Sequence, residues 1–145
     1  MTTTKRPGSR TPRAEIPAES FDDEGVRLAI LAALEAVHKC FPHITLPQYL
    51  ILLEVRRAER DGNPHMLASL VKKLKIPFST ASRVVWSLTE EGGDIGIIKY
   101  QHHPTDRRKK LLVINELNEP HEIPRAIRRA MRDYYGDTVD QLRPS

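Results

Sequence analysis

Apolar residues recur at helical spacing along most of the chain after residue 20. The first such segment predicts a helix over residues 21–40, opened by a capping box formed by Ser20 and Asp23. Its apolar stripe is wider than the face of an ordinary amphipathic helix. A small chain cannot easily cover so wide a face, so we expect a subunit interface here. The stripe comprises Val26, Leu28, Ile30, Leu31, Ala33, Leu34 and Val37.

A second helical pattern covers residues 46–60. Thr45 and Gln48 form a capping box, and Pro47 is tolerated in a first turn. The pattern ends at the turn-forming residues 61–64. Its predicted buried face consists of Leu46, Leu50 and Leu53, with Tyr49 and Leu52 beside them.

Two short helical patterns separated by a turn at residues 75–77 occupy residues 65–92. Apolar runs at 95–100 and 111–114 then predict two strands joined by a polar tip at 101–110. A last helix is predicted over 124–135. The predicted fold is therefore mostly α-helical with one small β-hairpin. The apolar faces of the two short helices are Leu67, Leu70, Val71 and Leu74, followed by Ala81, Val84, Val85 and Leu88.

The chain has 145 residues, a length typical of one domain, which we place at residues 20–145. Residues 1–19 have almost no apolar side chain and are predicted to be a disordered basic arm. No run approaches the ~18 apolar residues of a membrane span, and the N-terminus lacks the apolar core of a secretory signal. The single cysteine excludes a disulfide framework. We therefore expect a cytoplasmic protein with no membrane partner.

The net charge of +4 is unevenly distributed along the chain. Residues 64–115 hold nine basic and four acidic side chains, a net charge of +5, whereas residues 21–63 have a net charge of −2. Residues 1–20 contribute +2 and residues 116–145 contribute −1. A basic excess within a folded segment is typical of a surface that binds a polyanion. A merely solvated charged surface is the alternative on charge alone.

The second short helix, placed at residues 77–91, has an outer face of short or hydrogen-bonding side chains and no acidic one. Such a face fits a major groove, where hydroxyls and a bidentate arginine contact bases and phosphates. Its candidate DNA-binding residues are Ser79, Thr80, Ser82, Arg83 and Ser87. Trp86 stays ambiguous, because a large aromatic side chain is more often packed in a core than used on DNA.

The hairpin tip carries four successive basic residues, which favour the narrow, strongly negative minor groove. Asp106 can support the tip by anchoring Arg108. The basic residues are Arg107, Arg108, Lys109 and Lys110.

These motifs resemble the MarR family of winged helix-turn-helix transcriptional regulators. The stretch from Leu70 to Gly92 is similar to the family's helix-turn-helix, although Lys75 stands where the family often has glycine. Asp106-Arg107-Arg108, followed by the strand at 111–114, matches the family's Asp-x-Arg wing motif. The resemblance covers about residues 24–135.

The resemblance implies a homodimer that binds double-stranded DNA and acts as a repressor, with Arg108 in the minor groove. It implies a DNA-binding core at residues 46–115 and dimerisation helices within 20–41 and 118–145. Family members often bind a small phenolic effector, but no residue here identifies one. No cofactor is expected.

Other functions are weaker expectations. No phosphate loop, zinc motif or Ser/His/Asp signature is present, so we do not expect an enzyme. His38, Cys40 and His43 have a metal-like spacing, but Cys40 is better explained as a small apolar residue. Two alternatives stay open. One is a winged helix that docks on an acidic protein partner, and the other is a metal- or thiol-responsive sensor.

Overall fold

A computed structural model describes Pro17 and residues 20–136. The predicted arm at residues 1–19 lies outside the described residues apart from Pro17, as does the end of the chain after Gly136. Within residues 20–136 there are five α-helices and one antiparallel hairpin, which confirms the predicted fold class. The elements are α1 (Asp23–Cys40), α2 (Leu46–Arg60), α3 (Leu67–Leu74), α4 (Phe78–Ser87), β1 (Ile98–His102), β2 (Lys110–Ile114) and α5 (Glu122–Tyr135).

The chain forms two compact units. The central unit, Ile44–Glu119, contains α2, α3, α4 and the hairpin. The terminal unit combines α1 and α5, which are far apart in sequence but pack together.

The predicted bounds are confirmed at both ends of α2 and at the C-terminal ends of α1 and α5, whereas the other predicted helix ends shift. Thr45 and Gln48 form the expected capping box. At α1 the N-cap is Asp22, whose Oδ1 accepts from the Gly25 amide at 2.8 Å, so the predicted Ser20–Asp23 box is wrong. Helix α5 begins at Glu122, earlier than predicted, because Pro124 is compatible with a first turn whose amides lack intrahelical acceptors.

Helix α4 ends at Ser87 and not at residue 91. The Leu88 and Thr89 amides donate three residues back, to the Val85 and Trp86 carbonyls, and the Thr89 hydroxyl also donates to the Trp86 carbonyl at 2.6 Å. These bonds tighten the last turn and stop the helix.

The core of the central unit corrects the predicted buried face of α2. Leu46, Leu50 and Leu53 are 64%, 49% and 44% exposed. Helix α2 has apolar residues on two sides. The side that packs on α3, α4 and β2 is not the predicted one. Its buried apolar residues are Ile51, Leu52, Val55 and Ala58, and they join Leu70, Ala81, Val85, Leu88, Ile97, Ile98 and Leu112 in the core.

The terminal unit packs the end of α5 against the start of α1. The Tyr135 ring lies so close to Gly25 that a Cβ there would come within 1.9 Å of the tyrosine Oη. The Tyr134 hydroxyl donates to Asp22 Oδ2 at 2.8 Å. The hydrogen bond from the Gly25 amide, and after it the bond from Tyr134, lower the pKa of Asp22.

Beginning at this aromatic contact, α1 and α5 leave an open groove of about 260 Å³ whose lining includes Val26, Ile30, Ile127 and Met131. Much of the α1 stripe is uncovered, since Val26, Ile30, Leu31 and Leu34 are each 44–53% exposed. In the part of the chain that the structure describes, no helix is long and apolar enough to cross a membrane.

Candidate nucleic-acid interface

Helices α3 and α4 are joined by a tight turn. Lys75 ends α3 in the left-handed conformation, with φ of 56°, and its amide donates to the Val71 carbonyl at 2.8 Å. Glycine is the residue that adopts positive φ at the end of a helix without strain. Pro77 then serves as the N-cap residue of α4 in extended conformation. The predicted helix-turn-helix is therefore present.

The outer face of α4 lies opposite the buried residues Ala81, Val85 and Leu88. Ser79 and Arg83 are exposed there, and Ser82 is half-buried beside them. The Arg83 guanidinium has no hydrogen-bonding or ionic partner among the described residues. Thr80 is half-buried towards the edge of this face. The structure thus brings most of the predicted α4 residues onto one accessible surface.

Ser87 differs from the other predicted residues of α4. Its hydroxyl donates to the Val84 carbonyl at 2.6 Å and accepts from Gln48 Nε2 at 3.0 Å. Gln48 is itself part of the α2 capping box. The Ser87 side chain therefore ties the end of α4 to the start of α2, which fixes the direction of α4 in the central unit.

The wing is a regular hairpin in which Tyr100 pairs with Leu112 and His102 with Lys110. At its tip, Asp106 Oδ1 accepts from both the amide and the Nε of Arg108, at 3.1 and 3.3 Å. His103 Nδ1 accepts from the Thr105 and Asp106 amides. Two side chains thus shape the tip. All four predicted basic residues are exposed on it, namely Arg107, Arg108, Lys109 and Lys110.

The hairpin is attached to the helices through strand β2. The Leu112 amide donates to the His65 carbonyl at 2.7 Å, and the Ile114 amide donates to Glu59 Oε1 at 2.8 Å. These bonds join β2 to α2 and to the segment before α3. The wing therefore has a defined orientation relative to the helix-turn-helix.

Behind the helix-turn-helix lies a polar network that joins α2 to α3. Glu54 Oε2 lies 2.6 Å from His65 Nε2, and His65 Nδ1 lies 2.8 Å from the Ser69 hydroxyl. Ser69 also caps α3 by accepting from the Met66 amide at 3.0 Å. Bonds from Arg57 and His65 outweigh desolvation and lower the pKa of Glu54 to about 2. Glu54 is therefore ionised at neutral pH.

Two features of this unit were not predicted from sequence. Glu54 lies on the buried side of α2, next to Val55, and a carboxylate at such a position is a signal that a partner is needed. Trp86 is 50% exposed on the outer face of α4, seven residues after Ser79. Helical spacing alone places these two residues on one line.

The candidate metal ligands do not form a cluster. Among residues 20–136, no group of three or more His, Cys, Asp and Glu side chains could hold a metal ion. His38, Cys40 and His43 therefore offer no three-ligand site, and the sensor alternative gains no support.

A helix-turn-helix followed by a β-hairpin wing defines the winged-helix fold. Solved structures similar to this chain have the same architecture. RV1404 from Mycobacterium tuberculosis is 23% identical, with a TM-score of 0.54 over 90% of this chain and 84% of its own. The transcriptional regulator Tm0710 from Thermotoga maritima is 20% identical, with a TM-score of 0.53 over 87% and 82%.

The Multiple Antibiotic Resistance Repressor, MarR, is also among the similar structures, at 16% identity and a TM-score of 0.46 over 88% of this chain and 81% of its own. The likeness to RV1404 and Tm0710 confirms the predicted winged-helix fold. No protein-family model matches the sequence, and comparison with curated proteins finds no match.

Proposed function

We propose that this protein is a MarR-type transcription regulator that binds double-stranded DNA, with α4 in the major groove and the wing tip in an adjacent minor groove. One observation carries the proposal: a single compact unit presents both an acid-free α4 face, on which Arg83 has no partner among the described residues, and a wing tip with four exposed cations. The shared fold with the regulator Tm0710 supports it. In this proposal Ser79, Ser82 and Arg83 contact bases, and Ser87 positions α4.

We further propose a homodimer formed through α1 and α5. The exposed apolar stripe of α1 and the groove beside it are surfaces that water solvates poorly, and a second copy of the chain would cover them. We assign the groove to the partner subunit and not to a small-molecule effector, because its lining offers few polar groups to orient one. Repression follows if the dimer occludes a promoter.

The DNA-binding proposal is tested by selecting duplexes from a random pool and measuring affinity across salt concentrations. Arg83→Ala is expected to cost about 1–3 kcal/mol on the selected duplex and to relax base preference at one position. Lys109→Ala is expected to weaken binding to all sequences alike and to lower the salt slope by about 1.

Lys39→Ala is the matched control, because Lys39 is an exposed cation of α1, outside the central unit. It is expected to leave both the base preference and the salt slope unchanged. If neither central variant differs from the wild type, the assignment of these surfaces to DNA is wrong. Absence of any bound duplex at low salt favours a protein-interaction module instead.

A further inference from the structure

Trp86 occupies the centre of the outer face of α4. On a helical projection it lies between Ser79 and Ser82, away from the buried side of the helix. Half of its surface is exposed, which is unusual for the largest apolar side chain. Packing among residues 20–136 therefore covers only half of this tryptophan.

The backbone of Trp86 is held in place by the turn that ends α4. Its carbonyl accepts from the Thr89 amide and hydroxyl. The Gly92 backbone lies against it so closely that a Cβ on Gly92 would approach the Trp86 carbonyl oxygen to 1.9 Å and the indole Cδ1 to 2.9 Å. The Cδ1 edge of the ring thus packs against Gly92, and half of the residue's surface stays exposed on the helix.

We propose that the Trp86 indole contacts the C5-methyl group of a thymine and so determines specificity at one position of the DNA site. This inference rests on the proposed function, which places α4 in the major groove. The thymine methyl is the apolar group that base pairs present in that groove, and apolar side chains recognise it by contact. The absence of any acidic residue from Phe78 to Ser87 allows the indole to approach the phosphates on either side.

The helix geometry also indicates where this thymine lies. Trp86 is three residues after Arg83, which corresponds to about 4.5 Å along the helix axis. Successive base pairs are about 3.4 Å apart. The thymine is therefore expected within one or two base pairs of the base that Arg83 contacts.

The test starts from a duplex selected by the wild-type protein and replaces its thymines one at a time by uracil, which lacks only the methyl group. We expect one replacement near the Arg83 position to weaken wild-type binding about 3- to 10-fold, a loss in line with one apolar base contact. Trp86→Ala should bind the thymine duplex more weakly by a similar factor and lose the uracil penalty at that position only. Leu117→Ala, which truncates a 95% exposed leucine outside α4, should keep the full penalty.

A second measurement needs no substitution, because Trp86 is the only tryptophan of the chain. Its fluorescence should change on binding the selected duplex, and its quenching by acrylamide should fall. A bound duplex that is insensitive to uracil at every position, or a tryptophan equally quenched with and without DNA, overturns this inference alone. Failure to bind any duplex overturns the proposed function as well.

Discussion

Helices α1 and α4 each leave one long face uncovered, and the two faces differ in chemistry. The α1 face is a continuous apolar stripe that includes Val26, Ile30 and Leu34. The α4 face carries serines and an arginine around one tryptophan. The α1 face can be buried by any apolar partner of matching shape. The α4 face instead suits a surface that is polar and negatively charged and carries scattered apolar groups. The proposed self-association and the proposed DNA binding therefore use chemically different faces.

The supports behind the two faces differ as well. Behind α4, long-range polar bonds fix the elements, such as those between Glu54 and His65 and between Gln48 and Ser87. Behind the start of α1, the aromatic rings of Phe21, Tyr134 and Tyr135 pack edge to face. The face proposed for DNA needs a defined direction, which hydrogen bonds supply, whereas the apolar face of α1 tolerates small shifts.

The largest expected effect comes from placing a charge on the α1 face. Ile30→Glu would bury an unpaired carboxylate in the proposed dimer interface, which costs several kcal/mol. We expect the dissociation constant of the dimer to rise at least about 100-fold, since each 1.4 kcal/mol is tenfold. Sedimentation equilibrium measures it, with Leu117→Glu as the matched control because it places the same charge in the central unit. An unchanged dissociation constant would contradict the proposed role of the α1 face in the dimer.

A smaller effect is expected from the polar support behind α4. Glu54→Gln removes a buried carboxylate that binds both Arg57 and His65, and we expect a loss of about 2 kcal/mol in the free energy of unfolding at pH 7. Asp61→Asn removes another carboxylate bound to Arg57, but this one is 47% exposed. Its cost should stay below about 0.5 kcal/mol. Equal losses in urea titrations of the two variants would show that the Glu54 network stabilises the fold no more than an exposed ion pair does.

The same network predicts a dependence on pH. Folding lowers the pKa of Glu54 from 4.5 to about 2, so its ionised form stabilises the folded state above pH 4.5. This stability is lost as the pH falls from 4.5 towards 2. The difference between the wild type and Glu54→Gln should therefore shrink over that range. A difference that stays constant down to pH 2 would contradict the lowered pKa.

The smallest effect is expected at the aromatic support of α1. Gly25→Ala adds a methyl group where Tyr135 now lies, and overpacking of this kind costs about 1–3 kcal/mol. The gain in helix propensity offsets about 0.5–1 kcal/mol of this cost. We expect a net loss of about 1 kcal/mol in thermal unfolding. In a Tyr135→Leu background the same change should be neutral or stabilising, and a loss there would mean that the ring is not the obstacle.

The order of elements could be predicted from the sequence because it depends on local signals. Apolar spacing located α2, α3 and the hairpin, and the Thr45–Gln48 box located the start of α2. The end of α4 was missed, because Thr89 ends the helix through bonds that its residue type does not reveal.

The buried side of α2 could not be predicted, because apolar residues occupy both sides and only tertiary contact decides between them. Leu50 and Val55 are equally good core residues by type, yet only Val55 is buried. The bond between Glu54 and His65 joins residues eleven positions apart through a loop. The outward direction of Trp86 follows from helical spacing but conflicts with the usual preference of its residue type.

The bonds that attach the wing to the helices also affect how the protein behaves at high concentration. A strand at the edge of a sheet can pair with a strand of another molecule through its free amides, which leads to aggregation. In β2 the outward amides of Leu112 and Ile114 already have acceptors in His65 and Glu59. A second molecule cannot extend the sheet at these positions, so this edge of β2 is closed to further strand pairing.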